Sequence, residues 1–147
     1  MLFSPTWMQQ YQRIWNADTD MVRSLETALF NGSIAYGFMG KVRPEGYLNV
    51  QQGRIEAVST ALADGVHPDW DLRAGPELWQ EWITCPPGLM QVGMAFSARR
   101  FCFARGDYVQ ILKNPLLAKA FVRSFELMHR VCDEAGADAV SKTPEVK

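Results

Sequence analysis

The sequence is poor in the residues that most often carry chemistry. Its 147 residues include only three cysteines and two histidines. Cys85, Cys102 and Cys132 stand far apart and form no Cys-x-x-Cys pair. His67 and His129 fall in no metal-ligand spacing, so neither a zinc nor an iron site is expected. There is no Gly-x-Ser-x-Gly elbow, and Gly88–Gly93 lacks the Lys-Ser/Thr of a phosphate-cradling loop. No catalytic set, metal or cofactor is therefore expected. No stretch approaches the ~18 apolar residues that span a bilayer, and Met1–Pro5 opens no charged and apolar leader. The expectation is a soluble cytoplasmic protein with reduced, packed cysteines. A formal charge of −1 gives no global field to hold nucleic acid.

What the chain has instead is apolar bulk. It is 48% hydrophobic and 12% aromatic, with five Trp and seven Met. So many large, adaptable side chains suit either a bulky core or oligomer interface, or a soft-walled ligand cavity. The length fits one domain, taken as 1–135, followed by a small, polar, flexible tail at 136–147. Charge is uneven: residues 99–130 carry seven basic side chains against two acidic ones. Such a surface is either a solvated helix face or a site for an anionic ligand, membrane or partner.

Periodicity predicts the elements. Ser4-Pro5 starts a helix whose stripe is Trp7, Met8, Tyr11, Ile14 and Trp15. A second helix, with Met21, Val22, Leu25, Ala28 and Leu29, is expected to stop at Asn31-Gly32. Period two then takes over at Ile34, Tyr36 and Phe38, at Tyr47–Val50 and, after a Gln52-Gly53 turn, at Arg54–Val58. A further strand is expected around 66–73. Gly75-Pro76-Glu77 opens a helix with Leu78, Trp79, Trp82 and Ile83 on one face, closed by Pro86-Pro87-Gly88. Leu89–Phe96 reads equally as helix or strand. Arg100–Arg105 reads as a strand, and Pro115 restarts a long amphipathic helix. The fold class is α+β, with helices covering one side of a mainly antiparallel or mixed sheet.

Asp69-Trp70-Asp71 is the best acidic candidate. Alternation puts both carboxylates in solvent and Trp70 inside; an inward aspartate would instead be a general base, with Tyr36 or Tyr47 as hydrogen-bond donor. The apolar clusters Met90, Met94 and Phe96, and Phe121, Phe125 and Met128, read first as core packing and second as cavity wall.

Several runs together carry a resemblance. They are Phe3-Ser4-Pro5-Thr6-Trp7, Gly46-Tyr47-Leu48-Asn49-Val50 with Gly53-Arg54-Ile55, and Pro68-Asp69 with Asp71-Leu72 before a Trp-bearing helix. The closest cue is Arg100-Phe101-Cys102-Phe103-Ala104-Arg105-Gly106-Asp107. In order and spacing, Tyr47–Val131 resembles the sterol carrier protein type 2 (sterol-transfer) family, especially its small standalone bacterial members. The resemblance implies a twisted five-stranded sheet with helices on one face and an apolar tunnel between them. That tunnel would take a sterol, fatty acid or acyl-CoA, making the chain a non-enzymatic carrier. Carried over by position, Trp79, Trp82 and Ile83, then Met90, Met94 and Phe96, then Phe101 and Phe103 would border it. Phe121, Phe125 and Met128 of the terminal helix would form a flexible wall.

Arg99, Arg100 and Arg105 could attract an anionic head group or orient the protein at a membrane surface. Two features depart from the family pattern. Residues 86–98 are longer and richer in Met and Pro-Gly, and the terminal helix runs further, with apolar surface that could serve a homodimer. Two other functions stand beside the carrier: an accessory protein docking on a pathway enzyme, and a cavity enzyme using Asp69 or Asp71.

Overall fold

The computed structural model describes the backbone of residues 1–145 and the side chains of residues 1–134. The side chains of the expected tail, 136–147, lie outside the described residues. Eleven elements follow in order: α1 (Pro5–Ala17), α2 (Thr19–Thr27), β1 (Gly32–Phe38), β2 (Gly46–Gln51), β3 (Arg54–Ser59), β4 (Trp70–Ala74), α3 (Pro76–Thr84), α4 (Leu89–Ser97), β5 (Phe101–Arg105), α5 (Tyr108–Lys113) and α6 (Pro115–Glu145).

The five strands form one mixed sheet in the order β3-β2-β1-β4-β5. Two hairpins join β1, β2 and β3 antiparallel, β4 lies parallel to β1, and β5 returns antiparallel to β4. Gln52 and Gly53 both adopt positive φ, as a two-residue hairpin turn with the twist of its strands requires. A Cβ at Gly53 would lie 2.2 Å from the Val22 carbonyl oxygen, so the turn packs directly on α2.

The helix starts follow the sequence. The Ser4 hydroxyl accepts from the Trp7 amide ahead of Pro5, and Pro76 opens α3. The stops do not all follow it. α2 ends at Thr27, short of Asn31-Gly32: Phe30 N–H reaches the Leu25 carbonyl and Leu29 N–H the Glu26 carbonyl. That is a Schellman closure, with Leu29 taking the left-handed residue's place at φ 57°. α4 closes in the same way through Arg99, at φ 61°. The ambiguous segment 89–96 is therefore helical. Gly88 caps it by donating its N–H to the Gln91 side chain, and Val92 and Ala95 form its buried side.

The core lies between the sheet and the helices. Trp7, Met8, Tyr11, Ile14 and Trp15 of α1 are buried, as the helical stripe predicts. Asn16 takes both backbone groups of Ile55, tying α1 to β3. Three expectations are corrected. β4 begins at Trp70 rather than near 66. Asp71 is buried, not in solvent, because Arg73 on the same strand face pairs with it. Cys85 is exposed rather than packed, while Cys102 and Cys132 are half-buried.

Candidate functional site

A cavity of about 40 Å³ lies between the sheet and α6. Its floor is Ile34 and Tyr36 of β1, Trp70 and Leu72 of β4 and Phe103 of β5. Leu117, Ala120, Phe121 and Ser124 of α6 form the roof, with Ile111 of α5 beside them. Trp15, Met21, Leu25 and Phe30 complete the lining from the first two helices and the turn after them. The wall is hydrocarbon and aromatic, its nitrogen and oxygen atoms confined to two indoles, Tyr36 and Ser124. A site of this kind excludes water and admits apolar matter.

Sequence dictates this placement at each element. Period two in β1 and β4 sends Ile34, Tyr36, Trp70 and Leu72 to one face, and the parallel register pairs Ile34 with Trp70 and Tyr36 with Leu72. On α6, spacings of three and four put Leu117, Phe121 and Ser124 on one stripe. Gly106 follows β5 at φ 97°, and a Cβ there would meet the Trp70 indole at 2.5 Å. The glycine thus lets the β5–α5 turn close over Trp70.

The expected site residues separate into three groups. Phe103 and Phe121 line the cavity. Trp79, Trp82, Phe101 and Phe125 lie behind them in one aromatic cluster, with ring centroids 5.1 Å apart for Trp82 and Phe125 and 5.2 Å for Trp82 and Phe101. Ile83 and Met128 are buried as well. Met90 and Met94 face outward on α4, 80% and 65% exposed, and Phe96 stacks against Tyr108 at the surface. Arg99, Arg100 and Arg105 are all exposed, Arg105 donating to the Pro68 carbonyl.

The aspartates are engaged elsewhere. Asp69 is exposed and accepts from the Ser33 amide, pinning the start of β4 to β1. Asp71 and Arg73 lie on the face of β4 opposite Trp70 and Leu72, so the carboxylate is held away from the cavity. Among the described residues no group of three or more His, Cys, Asp or Glu could hold a metal ion. None of the described helices is long and apolar enough to cross a membrane.

Local pattern missed a pair of phenols. Tyr11 and Tyr36 are fully buried with their hydroxyl oxygens 3.3 Å apart, and Tyr11 also donates to the Ser124 carbonyl. Burial pushes both phenols well above their ordinary range, so both are neutral at physiological pH. Both tyrosines read as inward-facing, but a separation of 25 positions along the chain conceals their meeting.

No protein-family model matches the chain, and no curated protein sequence does. Solved structures do match. A crystal structure of sterol carrier protein 2 superposes with a TM-score of 0.67 at 18% identity, over 88% of this chain and 98% of the other. The solution structure of a conserved hypothetical protein of Thermus thermophilus, described as a candidate sterol carrier protein, gives 0.66 at 19% identity, over 89% and 90%. A UbiJ-SCP2 ubiquinone synthesis protein gives 0.53 at 11% identity, over 79% and 82%. The mixed five-stranded sheet with its helices is thus the sterol-carrier-protein-2 fold.

Proposed function

We propose that this chain, with the sterol-carrier-protein-2 fold, is a non-enzymatic carrier for an apolar small molecule of the lipid or steroid class. The observation that carries the reading is the apolar cavity between sheet and α6, in a fold whose solved examples include sterol carrier protein 2. Its ligand lies against Phe103 and Phe121. Trp79, Trp82, Ile83, Phe101, Phe125 and Met128 form the layer behind, which yields as the ligand enters. At about 40 Å³ the space suits the tip of a slender hydrocarbon, and a bulkier guest must lift α5 and α6. Hydrophobic burial supplies the affinity, at ~25 cal/mol for each Å² of apolar ligand surface taken out of water.

Loading takes place at an anionic membrane surface. Leu89, Met90, Met94 and Phe96 of α4 and Val109 and Leu112 of α5 expose hydrocarbon. Between residues 86 and 120 the charged side chains are Arg99, Arg100, Arg105, Lys113 and Lys119 against Asp107 alone. Apolar anchors within a cationic field favour an interface rich in anionic lipid, or an anionic head group left outside the cavity.

The same exposed surface favours a second reading. It would dock on a pathway enzyme or on another copy of this chain, as an accessory role would require. The likeness to a ubiquinone synthesis protein fits that alternative.

Native mass spectrometry of the purified protein, followed by organic extraction, tests the carrier reading. A stoichiometric apolar adduct that exchanges with added lipid and changes Trp fluorescence is the expected result. A clean unliganded mass, with no binding of sterols, fatty acids or acyl-CoA, would overturn it in favour of the accessory role.

A further inference from the structure

A second opening lies between α3 and α4. It is a groove of about 500 Å³, against about 40 Å³ for the inner cavity, and no described residue lines both. Each helix supplies one stripe. Leu78, Glu81, Trp82 and Cys85 recur at spacings of three and four along α3 and its cap. Gln91, Met94, Ala95 and Ala98 repeat that spacing along α4 and its cap. The stripes do not close on each other, because α3 packs on α6 and α4 on β5. Nor can the α4 stripe fill the gap, since Ala95 and Ala98 end at a methyl group. Leu78, Trp82 and Ala95 are buried and give an apolar floor, while Met94 stands on the rim, 65% exposed. A space of this size falls among small-molecule sites, which run from ~300 to ~1,000 Å³.

Two charges complete the lining, Glu81 and Arg100. Their ion pair is long, at 3.6 Å, and its members are 58% and 54% exposed, so it yields at little cost. An anion that gains Arg100 comes to lie beside Glu81. A cation that gains Glu81 comes to lie beside Arg100. A head group bearing both signs meets an opposite charge on each side.

We propose that this groove binds a single-chain zwitterionic amphiphile, one molecule at a time. Its hydrocarbon lies on Leu78, Trp82 and Ala95, and its two charges take the places that Glu81 and Arg100 now give each other. The site stands independently of the carrier reading.

The test uses octylphosphocholine, octyl sulfate and octyltrimethylammonium, which share one chain and differ in charge, each below its micelle-forming concentration. Methionine methyl NMR separates the two sites, since Met94 lines the groove and Met21 the inner cavity. The Met94 methyl is expected to shift, with the zwitterion bound about fivefold more tightly than either ion, the scale of one exposed ion pair. Glu81→Gln should bring octyl sulfate to the front, and Arg100→Gln octyltrimethylammonium. Both side chains are exposed, so neither change disturbs the core. Ala98→Trp, which fills the groove from an exposed position, should abolish the Met94 shift.

A shift at Met21 without one at Met94 puts the chain in the inner cavity, overturning the groove while leaving the carrier intact. Silence at both methyls overturns it as well. So does equal affinity for the three probes, or an order that neither charge variant moves. A Met94 shift that survives Ala98→Trp marks adsorption to the surface and has the same consequence.

Discussion

Arg73 and Asp71 sit two residues apart on one strand and form a two-point ion pair, with N–O distances of 2.6 and 3.1 Å, on the sheet face turned away from the cavity. The same guanidinium donates to the carbonyls of Phe38 and Lys41, so it also anchors the β1–β2 connection. Removing one partner leaves a charge buried without its counterion. Asp71→Ala is expected to cost about 3–5 kcal/mol in urea denaturation. The double variant Asp71→Leu, Arg73→Met should cost less than the sum of the single changes. A loss below about 1 kcal/mol for Asp71→Ala would mean that water replaces the pair.

Alkali should unfold this protein by way of its tyrosines. Burial raises Tyr11 and Tyr36 above the ordinary value of 10.0, and Tyr108 shifts the same way. A raised phenol pKa means that the folded chain holds protons the unfolded chain releases. The resulting stability is complete below about pH 10 and drains away as pH climbs past that value. Tyrosinate absorbance for Tyr11 and Tyr36 should rise only with the loss of tertiary circular dichroism. Smooth titration of all four tyrosines in the folded state would contradict their burial.

Leu29 closes α2 in a conformation that favours glycine, and it is 82% exposed. Leu29→Gly therefore relieves backbone strain without sacrificing buried area. It should stabilise the protein by about 1 kcal/mol, read as a higher midpoint in urea at unchanged slope. A lower midpoint would show that Leu29 makes contacts worth more than the strain.

Asp18, at the junction of α1 and α2, accepts two hydrogen bonds from Arg123 of α6. The pair fastens the roof one residue from Ser124. Arg123→Gln should cost about 1–3 kcal/mol. It should also speed release of a bound fluorophore several-fold in stopped flow, because a looser roof opens more often. An unchanged release rate would place the exit elsewhere.

Much of the architecture was legible because it rests on local signals. Ser4-Pro5 and Gly75-Pro76 mark helix starts, and alternation marks β1 and β5. α4 was ambiguous since Met90, Val92, Met94 and Phe96 satisfy a two-residue period as readily as a helical one. Its helix buries Val92 and Ala95 and leaves the methionines outside. The stop of α2 was misplaced because Leu29 occupies the left-handed position, which a rule based on glycine cannot find. The burial of Asp71 escaped because an aspartate and arginine two apart look like the wet face of a strand. Their pairing, like that of Tyr11 with Tyr36, appears only once the sheet is assembled. The cavity was harder still: its lining is gathered from the first two helices, three strands and the last two helices, and no window of sequence contains them together.

The strand order has a consequence during synthesis. The floor of the cavity needs β1 beside β4, whose partners Ile34 and Trp70 are separated by a long stretch of chain. Its roof comes from α6, which follows every strand. On the ribosome the sheet can therefore be complete while Tyr36, Leu72 and Phe103 still face water. Until α6 emerges, the nascent protein carries an uncovered apolar surface that chaperones would recognise.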